Sequence, residues 1–341
     1  MSDYDAIVIG AGIGGLGVSA FLAQAGRRVL TLEKNKAIGG RAYSFQYKGH
    51  TLNIGGPRAG LEGGKVDDLF AKLGVLPGER GFFDGYLHYR DGDFMPLIDL
   101  ASRAPREEAL RFAVAMNEIA EDALDEYDGI SAADWLASKD IKAPELLDLT
   151  RYGAVAMCTL PRLEEMAAST VQVKHLEKTT AVFGVIAATR EPLYEGKHFL
   201  LTDARRAGYP LAGYMATNVS QEVSPEGEHL FEVSCICDSE LGQDRERLNE
   251  KIDLMKADLE EMFPGWEEKV IWEKPYFHWV ESARTPGREG IYRPGPKPPA
   301  VEGLYFTGDT VTSRALPGLE TAADSAVICA NQILADTGER R

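Results

Sequence analysis

The chain has 341 residues, 44% hydrophobic and 26% charged, a composition for folded cores and a length for two domains at about 150 residues each. Lys and Arg total 37 against 53 Asp and Glu, giving a formal net charge of −16. That balance offers no basic stripe for a phosphate backbone, so nucleic acid is excluded as the default partner. The four cysteines, Cys158, Cys235, Cys237 and Cys329, form no Cys-x-x-Cys pair and no dense framework. Zinc-ribbon and disulfide-scaffold classes are thereby excluded, and a reducing, cytoplasmic setting is expected.

No stretch approaches the roughly 18 consecutive apolar residues of a spanning helix, so no transmembrane segment is expected, while peripheral membrane contact and oligomeric state stay open. Asp3 and Asp5 precede the first apolar run where a signal peptide would carry basic residues, so Met1 is expected to begin the mature chain.

Ala6 to Ile9 is a continuous apolar run ending at Gly10, which predicts a strand of a parallel sheet buried on both faces. Leu16 to Ala25 predicts a helix stopped by Gly26, and Arg28 to Leu32 a second strand, completing a βαβ unit. Tyr86 to Leu97 carries Asp91-Gly92 between aromatic-rich flanks and predicts a hairpin with a primed turn. Pro105 opens a predicted surface helix, and Ser131 caps another with Trp135 on its inner side. The run Val182 to Ala188 suits a buried strand or helix turn. Phe231, Val233, Cys235 and Cys237 alternate with Glu232, Ser234, Ile236 and Asp238, predicting a strand with both cysteines on one face as core residues.

Leu248, Ile252, Met255, Leu259 and Met262 form the stripe of an amphipathic helix ending near Pro264-Gly265. Gly295 to Pro299 reads as a linker returning to the first domain. After it, Leu304 to Thr307 predicts a strand and Ala322 to Leu334 a final helix. The expected fold is α/β, with a discontinuous Rossmann-like domain over 1–80 and 296–341 and a mixed α+β domain over 81–295.

Gly10-Ala11-Gly12-Ile13-Gly14-Gly15 matches G-x-G-x-x-G directly after a strand and opens a helix, the context in which the motif has physical content. Its glycines permit a tight turn and close approach of a pyrophosphate to helix N-terminal amides, whose dipole favours negative charge. Glu33 ends the second strand, eighteen residues after Gly15, where a carboxylate suits an adenosine ribose, with Lys34 beside it. Gly39-Gly40-Arg41 then adds a second close backbone approach and a planar cation for phosphate oxygens.

From Gly10 to Arg41 the chain resembles the N-terminal signature of the flavin-dependent amine oxidase and phytoene desaturase superfamily. Gly303-Leu304-Tyr305-Phe306-Thr307-Gly308-Asp309 is similar to that superfamily's late strand. The resemblance implies an FAD cofactor, with Arg41 close to its diphosphate and flavin and Asp309, after Gly308, at the ribityl or diphosphate region. It also implies that Pro317-Gly318, followed by Thr321, opens a helix facing the flavin pyrimidine, and that Gly55, Gly56 and Pro57 lie beside the flavin. Asn53 stands where the family often has Asp.

Thr217-Asn218-Val219-Ser220 followed by Pro225-Glu226-Gly227 resembles the substrate domain of the phytoene-desaturase-like branch, and the paired-aromatic cage of amine oxidases is missing. Tyr276, Phe277, Trp279 and Tyr292 are candidate lining residues of an apolar cavity, although aromatic residues are mostly core. The resemblance is firm over roughly the first sixty and last forty residues. Residues 161 to 185 pass directly from a helical stretch to substrate-domain strands, without the family's usual middle segment covering the adenine side. The implied activity is hydride transfer between flavin N5 and a carbon of a small, apolar or partly apolar substrate. No catalytic residue is assigned and no metal is expected, since the six histidines show no ligand spacing. A flavin-dependent isomerase, an amine oxidase and an inactive flavin-binding scaffold are the alternatives.

Overall fold

The computed structural model describes residues 3–53, 63–76, 83–119, 130–156, 180–280, 295–297, 301–309, 311 and 318–338. The chain divides into two compact units, one of Met1–Phe45, Asn53–Arg80 and Ser282–Arg341, the other of Gln46–Leu52 and Gly81–Glu281.

In the first unit, β1 (Ala6–Ile9) pairs in parallel with β2 (Val29–Leu32) across α1 (Ile13–Gln24), the crossover helix of a βαβ unit. Gly26, at φ +76°, ends the helix region. The helix is built from small residues because α8 (Leu319–Thr337) lies close: a Cβ at Gly17 would stand 2.7 Å from the Cβ of Ala326. With α2 (Lys65–Leu73), these helices enclose a core of Val18, Leu22, Val66, Leu69, Ala323 and Ala326.

Two expectations fail here. β1 is buried on one face only: Ala6 and Val8 pack toward the helices, while Ile7 is 60% and Ile9 87% exposed. Among the described residues β1 and β2 pair as a two-stranded sheet, and the helices of its core touch one side of it. Leu304 to Thr307 belongs to no strand; Tyr305 reaches the core, and Phe306 N donates to Pro296 O at 2.7 Å. The final helix also starts three residues earlier than Ala322.

The second unit is organised by a seven-stranded sheet in the order β11-β7-β10-β9-β8-β5-β6. Its strands are β5 (Gly85–Arg90), β6 (Asp93–Pro96), β7 (Thr180–Thr189), β8 (His198–Ala204), β9 (Pro210–Met215), β10 (His229–Asp238) and β11 (Val270–Val280). β5 and β8 run parallel and the other neighbours antiparallel. Asp91 and Gly92 both have positive φ, +57° and +86°, as a primed hairpin turn requires. Alternation sends Phe231, Val233, Cys235 and Cys237 against Ile252, Met255 and Leu259 of α7 (Arg245–Met262). On the other face, α3 (Leu100–Arg103), α4 (Arg106–Asn117), α5 (Ala132–Ser138) and α6 (Pro144–Ala156) enclose a second core around Trp135, Leu146 and Leu201.

Ser131 caps α5 by accepting from Asp134 N at 3.0 Å. Within β7, position 184 is glycine where the Tyr276 ring lies across the strand; a Cβ there would stand 2.9 Å from the ring and closer still to Val233 O. A short hairpin, β3 (Ser44–Tyr47) and β4 (His50–Asn53), follows the turn Gly40–Ala42.

Candidate functional site

Gly10 leaves β1 at φ +102°, a conformation that favours glycine, while its N–H still bonds Leu32 O at 2.7 Å. The chain then doubles back so tightly that a Cβ on Gly15 would stand 2.0 Å from Gly10 O. One on Gly14 would meet Gly308 N and Thr307 Oγ1, each at 2.9 Å. α1 therefore begins on a bare backbone, with Gly12 as a cap that has no side chain and no acidic residue in its first turn. Its opening amides form a positive end suited to an anion.

The second glycine pair lies alongside the first. Gly12 and Gly39 form a parallel bridge, Gly39 N donates to Ala11 O at 2.7 Å, and a Cβ on Gly40 would come within 3.1 Å of Gly12 Cα. Gly39 and Gly40 have φ of +110° and +59°, so two backbones approach each other as only glycines permit. Arg41 follows and is ion-paired with Asp309. Asp309 is placed by the turn at Gly308, whose N–H donates to Ser325 Oγ at 2.9 Å from within α8. Three segments remote in sequence thus converge in the first unit.

Glu33 serves this loop directly. Its Oε2 accepts from Ala11 N at 2.8 Å and its Oε1 from Asn35 N at 2.9 Å. Those two amides hold the carboxyl below its usual 4.5. Each oxygen keeps a second lone pair for another donor.

The remaining candidates divide. Lys34 is exposed. Ile13 packs its side chain into the helical core, leaving its backbone for the site. Gly318 caps α8 at φ +97°, and Thr321 is fully buried in that helix's first turn. Gly55, Gly56, Pro57, Pro317 and Tyr292 lie outside the described residues, as do 161–179 of the expected short middle passage. Tyr276 and Phe277 point to opposite faces of β11: Phe277 packs in the α7 core, and Tyr276 bonds Ser234 across the sheet. They cannot line one surface together.

The Thr217–Gly227 phrase holds the fold. Asn218 Nδ2 donates to Tyr194 O and Gly196 O, both at 2.9 Å, and Glu228 N closes a turn on Pro225 O at 3.1 Å.

Sequence reasoning missed Glu320, whose carboxylate accepts from Lys65 N and, at 3.2 Å, from Val66 N. It caps α2 because Gly64 has no side chain to do so. Its only sequence signal was an acid in the first turn of α8.

Residues 8–73 match the NAD(P)-binding Rossmann-like domain family. A carotenoid 3,4-desaturase of Haloarcula japonica is 38% identical over 100 residues, 27% of this chain and 20% of that protein. The chloroplastic prolycopene isomerase 2 of an Oncidium hybrid cultivar is 53% identical over 53 residues, 16% of this chain and 9% of that protein. Among solved structures, an oxidoreductase from Methanosarcina mazei superposes with a TM-score of 0.69 at 17% identity, over 96% of this chain and 99% of that one. A putrescine oxidase superposes at 0.55 and 14% identity, over 97% and 99%. The match to a Rossmann-like domain is thus confined to residues 8–73, and over the whole chain the fold is like that of these two solved structures.

The aligned stretches amount to 9% to 20% of those curated relatives' own length. The structural likeness, at 17% identity or less, is one of fold. The mixed α/β chain with two compact units described above is shared in fold with the Methanosarcina mazei oxidoreductase.

Proposed function

We propose that the protein is an FAD-dependent oxidoreductase that transfers hydride between flavin N5 and a carbon of an apolar or partly apolar small molecule. The convergence of Gly10–Gly15, Gly39–Arg41 and Gly308–Asp309 carries this reading. The loop fits the cofactor: side chains are excluded at Gly14 and Gly15, and the first turn of α1 has neither a side-chain cap nor an acid to compete with a diphosphate.

In this reading the Gly12–Gly15 amides hold the diphosphate and Glu33 accepts from the adenosine ribose while fixing the loop through Ala11. Arg41, oriented by Asp309, stands nearer the flavin and offsets anionic charge. Gly318 and Thr321 open a helix whose positive end favours the reduced ring. When bound, the isoalloxazine supplies the hydride chemistry.

The desaturase and isomerase names of the relatives favour a polyene-like substrate, engaged by the second unit as substrate domain. Cys235, Cys237 and Cys329 are free thiols, which suits a cytoplasmic setting. No described helix is long and apolar enough to cross a membrane. Anaerobic mixing with candidate polyenes, cyclic alkenes and amines tests the reading by flavin bleaching. Bleaching by a primary amine alone moves the protein to the amine oxidase branch, and no bleaching by any class favours a scaffold.

A second reading, a flavin-dependent isomerase without net redox change, is favoured by the 53% identity to prolycopene isomerase 2. Steady turnover without an external electron acceptor would select it.

A further inference from the structure

The stretch from Leu304 to Asp309 belongs to no strand, so no ladder of backbone bonds fixes the carboxylate that pairs with Arg41. Its anchors among the described residues are few. At one end Tyr305 enters the helical core, its hydroxyl donates to Asp336 at 2.7 Å, and Phe306 N bonds Pro296 O. At the other end the anchor is Ser325 of α8, whose side chain is fully buried.

A serine hydroxyl has one hydrogen and two lone pairs. Ser325 Oγ gives its hydrogen to Ala322 O at 3.0 Å, so its lone pairs serve the turn: one accepts the Gly308 N–H at 2.9 Å and the other the Thr307 hydroxyl at 3.3 Å. The capacity of this one oxygen is filled. The same two turn atoms also bound the start of α1, since a Cβ on Gly14 would stand 2.9 Å from each. Gly308 then turns the chain at φ +125°, and Asp309 follows, buried and ion-paired with Arg41. α8 is fixed independently of that turn: Ala326 packs against Gly17 of α1, and Glu320 accepts from the Lys65 and Val66 amides of α2. A helix held by two others is thereby tied, through one oxygen, to the residue before Asp309.

We infer that Ser325 is a positioning residue for the cofactor site: by holding the Gly308 amide it sets the carboxylate of Asp309, and through that carboxylate the guanidinium of Arg41. This rests on the FAD reading. Ser325, buried within the helix packing, acts through Asp309 rather than on the cofactor.

The test is a double-mutant cycle read by FAD dissociation constants for wild type, Ser325→Ala, Asp309→Ala and the double variant, with circular dichroism confirming folding. Ser325→Cys, close to serine in shape but a weak acceptor, is measured in parallel in case Ser325→Ala misfolds. Ser325→Ala should weaken FAD about fivefold, the scale of one lost hydrogen bond, and Ser325→Cys should fall between it and the wild type. The double variant should bind no more weakly than Asp309→Ala alone, the non-additivity expected of residues acting through one another. Without ligand, the amides of Gly308 and of Val311, which bonds Gly308 O at 3.2 Å, should exchange faster in Ser325→Ala. The Val66 amide, held by Glu320 of the same helix, should exchange as in the wild type. Additive losses, exchange raised equally at Val66, or unchanged affinity in both Ser325→Ala and Ser325→Cys overturn the inference alone. A wild-type protein that binds no FAD overturns the function reading and this inference with it.

Discussion

Glu33 Oε2 accepts the Ala11 amide hydrogen at 2.8 Å, so the carboxylate proposed for the ribose also braces the glycine turn. Glu33→Ala should therefore weaken FAD about tenfold or more, beyond the loss of a ribose contact, because the loop loses its charge-assisted bond. Glu33→Gln keeps one acceptor and should fall between. The carboxyl is depressed in the folded protein, so its bracing is complete above its ordinary pKa and is lost as pH falls through the depressed value. FAD affinity in the wild type should be flat from neutral down past the ordinary carboxyl range and fall only as pH passes through the depressed value, with the acid limb flattened in Glu33→Gln. Titration by flavin fluorescence checks both, and an unchanged dissociation constant in Glu33→Ala would remove Glu33 from the site.

The glycines of the motif carry different steric loads. Gly15→Ala puts a Cβ 2.0 Å from Gly10 O and should cost about 3 kcal/mol or more; Gly14→Ala, at 2.9 Å from the Gly308 turn, about 1 to 3. Gly10→Ala meets nothing within 4 Å and bears only the strain of φ +102°, about 1 to 2 kcal/mol. Urea midpoints should rank them in that order, and Gly10→Ala as the most damaging would contradict the geometry.

Glu320 is buried and bonds the first amides of α2, so Glu320→Ala should destabilise the chain by about 2 kcal/mol, leaving those donors unsatisfied. Glu320→Gln, which keeps an oxygen, should recover part of this. Denaturation midpoints measure the loss, and faster exchange at Val66 would localise it.

Much of the first unit was legible because glycine placement is dictated by sterics that spacing alone reveals: β1, β2 and the Gly26 stop fall where the sequence pattern put them, while α1 starts at Ile13, three residues before the expected Leu16. The α7 stripe and the β10 alternation were equally clear, since each buries one side against a single core. Leu304–Thr307 misled because an apolar run reports a tendency to be buried, not whether a strand lies alongside. Glu320 was invisible for another reason. Its partner, at Lys65, is remote in sequence, and a lone acid carries no local pattern. Pairing of Arg41 with Asp309 was only implied, through the superfamily resemblance, by placing both near the flavin.

Burial raises the thiols of Cys237 and Cys329 to about 11 and that of Cys235 further. At pH 8 a group of that kind is thiolate in about one molecule per thousand, so these cysteines should resist alkylation in the native protein and react on unfolding. Peptide mapping after brief iodoacetamide treatment reads this directly. Rapid native labelling of Cys235 would show that its strand face is not packed.

The most direct measurement is the visible spectrum of the purified protein, followed by denaturation and identification of the released chromophore. The account predicts a flavin spectrum and FAD at one per chain, restored by added FAD if lost in purification and weakened in Arg41→Ala. A folded protein that takes up no FAD at saturating concentration would contradict it.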